Sequence, residues 1–331
     1  TGRARRAPRP MHIVVADELP HSAVQLLRDA GWSVDATAGR TAADLAAALA
    51  EADALIVRSA TVVTAALIAA APGLRAIARA GAGVDNIDVE AAAARGVVVM
   101  NAPGATSTSV AELALALMLA LARHVAAADR RMKDGRWEKK ALAGTELAGK
   151  TLGIVGLGRI GRIVARLGHA FEMPVVAHDP ALTRDDVAQV AGGAVALVSL
   201  DELCERADYV TLHLPLTPAT WHLFDAARLA RCRRGVRLVN TSRGELVDTA
   251  ALLAALDTGQ VGGAGLDVFE QEPPTDWALV RHPAVVATPH VAASTAEAQE
   301  RVGLETAAAV RDFLRDGRLT NPVNGRAAAS R

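Results

Sequence analysis

The stretch Gly156-Leu157-Gly158-Arg159-Ile160-Gly161 decides the fold. The run before it, Thr151-Leu152-Gly153-Ile154-Val155, reads as a buried strand, and residues 159–170 after it read as a helix. In that setting each glycine has a physical task. Gly156 permits a tight turn, Gly158 lets the backbone approach a pyrophosphate, and Gly161 lets the helix lie close on the sheet. The phosphates would meet the free N–H groups and positive end of the helix, with Arg159 and Ile160 in its first turn. The next strand, Val175-Val176-Ala177-His178, is followed by Asp179, eighteen residues after Gly161. A carboxylate there accepts hydrogen bonds from ribose hydroxyls and repels a 2′-phosphate, so the expected cofactor is NAD rather than NADP. An N-cap ahead of Pro180 is the weaker reading of Asp179. His213-Leu214-Pro215 ends a later strand, and reads either as the adenine side of the site or as a plain strand-to-turn signal.

Outward from this motif, strands alternate with helices in both directions. Residues 12–16, 54–57, 76–79 and 97–100 read as strands, with helices near 22–30 and 41–50. That alternation argues for a parallel sheet, whose strand ends face the ligand crevice. Arg58, Arg79, the loop Gly81-Ala82-Gly83-Val84 and Asn101 stand at such ends. A helix over 109–123 follows, apolar at Leu113, Leu117 and Leu121, and then a charged arm over 129–140 carrying Trp137. Beyond the glycine motif, residues 209–212, 236–239, 264–266 and 285–288 read as further strands, and a helix over 295–315 returns to the first series.

The fold class is therefore α/β, with two doubly wound parallel-sheet domains. A Rossmann-type cofactor domain, residues 106–292, is inserted into a discontinuous, flavodoxin-like substrate domain, residues 11–105 and 293–325. Residues 1–10 read as a basic tail or an added remnant, and residues 327–331 as a frayed end.

Composition limits the partners. Among 331 residues, Lys+Arg and Asp+Glu are both 36, so no net field favours a nucleic acid or an anionic membrane. Half-apolar composition with only 3% aromatic residues suits Ala-rich helices on a sheet. The longest apolar run, residues 111–122, is short for a membrane span and contains Glu112. Cys204 and Cys232 are the only cysteines and lack metal-ligand spacing, so no metal is expected and a reducing, cytoplasmic setting is. A small molecule is the expected partner.

Three later segments supply redox chemistry: Asn240-Thr241-Ser242-Arg243-Gly244, Glu272-Pro273 and Pro289-His290. Oxidising a 2-hydroxy acid requires a group that holds the carboxylate and polarises the carbinol oxygen. A guanidinium does this through parallel donors, which suits Arg243. A proton acceptor titrating near neutrality suits His290, and a carboxylate beside it, such as Glu272, orients the ring. Taken singly, each has a duller reading as a turn arginine, a loop acid or a strand-end histidine. Asp267 either holds a nicotinamide carboxamide or satisfies local backbone donors.

Together these segments, with Arg79-Ala80-Gly81-Ala82-Gly83-Val84-Asp85-Asn86, Met132-Lys133-Asp134-Gly135-Arg136-Trp137 and Gly144-Thr145-Glu146-Leu147, resemble the D-isomer-specific 2-hydroxyacid dehydrogenase family from about Met11 to Asn324. The resemblance implies Arg243, Glu272 and His290 as its catalytic set, and Thr241, Ser242, Asp267 and Ala292 as further cofactor neighbours. It also implies that Arg58, Arg79 and Asn101, with the backbone of Ala82, Gly83 and Val84, hold carboxylate and phosphate. Lys139 fills the position of a basic residue that approaches a neighbouring subunit's phosphate site, and a homodimer through the cofactor domain follows. The implied reaction is NAD-dependent oxidation of D-3-phosphoglycerate. Another D-2-hydroxy acid is the alternative, and an NAD-sensing scaffold a third. Ala82 and Ala292 depart from the family's frequent Thr and Gly. The chain ends soon after Asn324, so no feedback by serine is expected.

Overall fold

The computed structural model describes residues 10–183 and 193–324. Residues 1–9 of the basic tail and the frayed end at 327–331 lie outside them. The chain divides into two compact units, one formed by Thr1–Thr106 with Ser294–Arg331 and the other by Ser107–Ala293.

In the first unit the strands are β1 (His12–Val15), β2 (Ser33–Asp35), β3 (Ala54–Val57), β4 (Ala76–Arg79) and β5 (Val98–Asn101), all parallel and ordered β2-β1-β3-β4-β5. This is the flavodoxin-like order. Alternate residues serve opposite faces. Val14, Leu55, Val57, Ile77 and Val99 pack with Leu45, Leu49 and Ile68, whereas Ile13, Val15, Ile56, Ala78 and Met100 pack with Leu27, Val310 and Leu314. Burial on both faces explains why these strands are short, uninterrupted apolar runs. The helix Ala296–Asp316, capped by Thr295, brings the end of the chain back against the helix His21–Asp29. Beyond it, Asn324 closes the β5 edge: its Oδ1 accepts the Val99 N–H at 2.8 Å and its Nδ2 donates to the Val97 carbonyl at 2.9 Å.

The second unit holds β6 (Leu152–Val155), β7 (Val175–His178), β8 (Val195–Leu197), β9 (Tyr209–Leu212), β10 (Val236–Asn240), β11 (Val261–Leu266) and β12 (Val285–Ala287). Their order is β12-β11-β10-β9-β6-β7-β8, again all parallel. Counted within the unit, the order runs third, second, first, fourth and onward, which is the doubly wound dinucleotide-binding pattern with its switch between β6 and β9. Helices Ser107–Arg123 and Arg159–Ala170 cover one face, and Leu200–Arg206, Ala226–Arg231 and Thr249–Asp257 the other.

β2 and β8 are not legible in the sequence. Each is a three-residue edge strand, exposed or half-buried, so no apolar run marks it. The arm over 129–140 is a helix, Val125–Lys133, with no buried residue, followed by a 3-10 turn at Lys139–Leu142. No single helix among the described residues is long and apolar enough to cross a membrane.

Candidate active site

The glycine loop leaves β6 and enters the helix Arg159–Ala170. Gly156 has φ +92°, and a Cβ on it would collide with the His213 carbonyl oxygen, so the ends of β6 and β9 are in backbone contact. A Cβ on Gly161 would strike the Gly156 carbonyl, which fixes how closely the helix starts beside the loop. At Gly158 a Cβ would meet nothing within 4 Å among the described residues, so this is the open side of the loop. Among the described residues no side chain caps the helix at Gly158, leaving its first N–H groups for an anion. Arg159 is exposed there, and Ile160 packs into the core below.

Asp179 accepts the Leu157 N–H on Oδ2 at 2.9 Å and the Ala181 N–H on Oδ1 at 3.0 Å. Its carboxylate thus ties the glycine loop to the end of β7 and retains lone pairs for ribose hydroxyls. Two buried polar atoms here have no partner among the described residues, Thr241 Oγ1 and His213 Nδ1. His213 Nε2 bonds Thr211 Oγ1 at 2.9 Å, and burial pushes the imidazole down to about 3, so the ring is neutral. Leu214 is half-buried and Pro215 exposed beside it. Open loop, uncapped helix, acceptor carboxylate and orphaned polar atoms fit a dinucleotide. Asp179→Ala is expected to lower the NAD-over-NADP preference by about tenfold or more, the loss of one charge-assisted hydrogen bond and one repulsion. An unchanged ratio of kcat/KM values for the two cofactors would sink that role.

The candidate acid–base residues stand at the ends of the next three strands, β10, β11 and β12. After β10, Asn240 builds the arginine turn: its Oδ1 accepts the Ser242 N–H at 3.0 Å and its Nδ2 donates to the Arg243 carbonyl at 2.7 Å. Ser242 Oγ donates to the Leu212 carbonyl at 2.8 Å, joining this turn to β9. After β12, His290 adopts φ +52°, a left-handed backbone that costs a non-glycine residue energy and persists only when held. Asp267, fully buried after β11, holds it. The Asp267 carbonyl accepts the His290 N–H at 2.8 Å, and the carboxylate accepts Thr288 Oγ1 at 2.6 Å and the N–H groups of Val291 and Ala292 at 2.8 and 2.9 Å. The local-donor reading of Asp267 has this direct geometry. Ala292 itself is 4% exposed.

His290 Nδ1 lies 2.6 Å from Glu272 Oε2, which places the Nδ1 proton on the Glu272 side and leaves Nε2 available to exchange one. The hydrogen bond to Glu272 raises the His290 pKa above its usual 6.5, against burial and the Arg243 charge. Burial alone would raise Glu272, but the bonds from His290 and the Phe269 N–H, with the Arg243 charge, hold it below the carboxylate range.

In the first unit, the strand ends carry the other candidate residues. Asp17 accepts the N–H groups of Arg58 and Thr61, and Asn86 Nδ2 donates to the carbonyls of Arg58 at 2.7 Å and Thr61 at 2.6 Å, so the Arg58 loop is braced from two sides. Arg58, Arg40, Asp17, Glu18 and Thr61 line a cleft of about 400 Å³. The Arg79 guanidinium lies where a Cβ on Gly81 would be, so a side chain at 81 would displace it. Asn101 Nδ2 donates to the Ala82 carbonyl, so Asn101 shapes that loop, in which Ala82 is exposed and Gly83 and Val84 are half-buried. Lys139 is exposed on the second unit's arm.

A glycine loop at a parallel-sheet switch point, followed by an arginine and an imidazole–carboxylate pair, defines the architecture of a nicotinamide-dependent dehydrogenase. Residues 115–292 match the D-isomer specific 2-hydroxyacid dehydrogenase, NAD binding domain, and the chain belongs to that family. It is 46% identical to D-3-phosphoglycerate dehydrogenase of Rattus norvegicus over 96% of its own length and 59% of the relative's. Among solved structures, the TT0316 protein from Thermus thermophilus superposes with a TM-score of 0.85 at 38% identity, over 95% of this chain and 100% of that one. The D-lactate dehydrogenase from Aquifex aeolicus, solved with NAD and lactic acid, does so with a TM-score of 0.79 at 29% identity, over 95% and 99%. The chain thus spans about three fifths (59%) of the length of the curated relatives it matches.

Proposed function

We propose that this chain oxidises D-3-phosphoglycerate to 3-phosphohydroxypyruvate with NAD. The observation that carries the reading is the 2.6 Å His290–Glu272 pair, set beside Arg243 in the family's NAD-binding domain. Held by the glycine loop and Asp179, NAD would supply the acceptor for the hydride leaving C2 of the hydroxy acid. His290 Nε2 takes the hydroxyl proton as the C–H bond breaks, and returns it in the reverse reaction. Glu272 stabilises the imidazolium that results, and Arg243 binds the carboxylate and the oxygen that becomes the carbonyl. In this reading Arg58 and Arg79, with Asn101 and the backbone of Ala82–Val84, take the phosphate and carboxylate charges. The name of the rat relative supports the phosphorylated acid.

A homodimer completes the proposal. The helix Val125–Lys133 buries none of its residues, and Val125, Met132 and Trp137 are 52%, 54% and 80% exposed. Apolar groups on one segment at that exposure fit a second copy of the chain, with Lys139 on the same arm. Two free, buried thiols support a reducing compartment such as the cytoplasm.

The test is NADH consumption with 3-phosphohydroxypyruvate beside hydroxypyruvate, glyoxylate, pyruvate and 2-oxoglutarate. The phosphorylated ketone is expected to lead in kcat/KM by about 100-fold, the worth of two charge-assisted contacts to one phosphate. If an unphosphorylated acid leads, the catalytic set stands and the substrate assignment falls. No turnover with any of them favours a scaffold that binds NADH without chemistry.

A further inference from the structure

The loop bearing Glu272 is fixed by a second carboxylate that the reaction does not use. Two residues before Glu272, Glu270 bridges outward: Oε1 accepts the Thr249 N–H at 2.7 Å, and Oε2 lies 3.1 Å from His222 Nε2. His222 in turn donates its backbone N–H to the Glu245 carbonyl at 2.8 Å, inside the 3-10 turn Gly244–Leu246 that directly follows Arg243. The two loops also touch along their backbones, because a Cβ on Gly244 would overlap the Phe269 carbonyl. One chain of contacts therefore runs from the arginine turn through His222 and Glu270 to the loop that carries Glu272.

His222 has the marks of a residue held in place. Its backbone is left-handed at φ +46°, unusual for a residue with a side chain, and its ring stacks on Trp221 at 4.8 Å between centroids. Asp248 Oδ2 lies 3.8 Å from its Nδ1, so carboxylates face both ring nitrogens. Burial would raise Glu270, but the bonds from Thr249 and His222 outweigh it and keep the carboxylate ionised, ready to pair with the ring. Glu272 itself is held, among the described residues, by the Phe269 N–H and His290. Its aim therefore depends on where the 269–272 backbone sits.

We propose that His222, acting through Glu270, is a positioning residue that locks the Glu272 loop against the Arg243 turn and so sets the orientation of His290. The proposal rests on the assignment of Glu272 and His290 given under Proposed function. The groups facing His222 are Glu270, Asp248 and the stacked Trp221; those facing His290 are Glu272, Asp267 and Arg243. Loosening Glu272 weakens its bond to Nδ1 and lets the His290 pKa fall back toward its ordinary value. Reduction of the keto acid needs the imidazolium, so the falling limb of its kcat–pH profile moves to lower pH.

The experiment measures kcat, KM and the kcat–pH profile for NADH-dependent reduction of 3-phosphohydroxypyruvate by His222→Ala, His222→Gln, Glu270→Ala and the double variant His222→Ala/Glu270→Ala. His222→Ala is expected to lower kcat about tenfold, less than the ~100-fold that a 1 Å displacement of a reacting group can cost. KM for both substrates should stay within about twofold, and the limb should shift to lower pH. His222→Gln, which keeps a donor for Glu270, regains most of the rate. Glu270→Ala behaves as His222→Ala does, and the double variant is no worse than the singles, as expected of one brace. A folded His222→Ala with unchanged kcat and limb, whatever its Tm, overturns the proposal, and so do additive losses. If His222→Ala fails to fold, Glu270→Ala carries the same readouts. Full turnover by His290→Gln would instead overturn the functional reading, independently of His222.

Discussion

His290→Gln is expected to lower turnover by about 10²–10⁴-fold, the usual contribution of a positioned acid–base group, while NADH still binds. Glutamine approximates the imidazole in reach and can still donate to Glu272 Oε2, but it cannot release or accept a proton near neutral pH. The loop should survive the change, because Asp267 holds it through the His290 carbonyl-side neighbours Val291 and Ala292 and through Thr288 Oγ1, none of which is the imidazole. NADH titration by fluorescence and steady-state turnover separate the two effects. A folded variant that no longer binds NADH would count against a purely acid–base role. The same pair predicts opposite pH limbs in the two directions. Because Glu272 raises the His290 pKa above 6.5, the imidazolium persists into more alkaline solution than for a free histidine. Reduction of the keto acid is therefore fast below that pKa and declines as pH rises through it, whereas oxidation of the hydroxy acid, which needs the neutral ring, rises through the same range.

How much of this is legible in the sequence depends on the range of the physics involved. β6 with its glycine loop and Asp179 is readable because turn, close approach and charge each demand a particular residue within a few positions. The proposed catalytic trio is readable as residue types, but its geometry is not: Glu272 and His290 are eighteen positions apart, and only the adjacency of β11 and β12 brings their loops together. β11 shows a different failure. The apolar pattern begins it at Ala264, whereas the strand starts at Val261, because Gly262 and Gly263 hide it. Those glycines, with Gly265, are there for packing. A Cβ on Gly265 would sit 2.9 Å from Leu117 Cβ, and one on Gly263 would sit 3.1 Å from the Ala284 carbonyl. Glycine weakens a strand locally, so local propensity argues against a segment that tertiary packing requires.

His222 and Glu270 escape the sequence pattern for a related reason. A histidine after a Thr-Pro-Ala-Thr-Trp turn has no spacing relation to a glutamate forty-eight residues later, and only the tertiary fold, which sets both beside the turn Gly244–Leu246, brings them into contact. Asn240 carries no assigned task in the sequence pattern of the arginine segment; its two bonds around Arg243 make it the residue that shapes the turn. An asparagine two residues before a required backbone donor is a recognisable Asx-turn signal, and the sequence contains it.

Gly156→Ala and Gly158→Ala are expected to separate the two tasks of the glycine loop. At Gly156 the added Cβ meets the His213 carbonyl carbon at 2.8 Å and the Leu214 nitrogen at 3.2 Å, in a backbone at φ +92°. The obstacle is backbone on both sides, so it cannot swing away, and β6 and β9 must part at the switch point by on the order of 1 Å. A displacement of that size costs about 100-fold where a ligand is held by geometry, and the left-handed backbone adds about 1–3 kcal/mol of strain. Gly156→Ala should therefore lose both Tm and NADH affinity. At Gly158 the φ of −72° suits any residue, and among the described residues the Cβ meets no atom within 4 Å. The fold should not register that change. Only a ligand lying against the loop would, so Gly158→Ala should keep its Tm and bind NADH at least about tenfold more weakly, as loss of close pyrophosphate approach requires. Thermal denaturation and NADH titration of the two variants decide the matter. Wild-type affinity in Gly158→Ala would place the pyrophosphate elsewhere, and an unchanged Tm in Gly156→Ala would mean that the β6–β9 contact yields more readily than its backbone geometry allows.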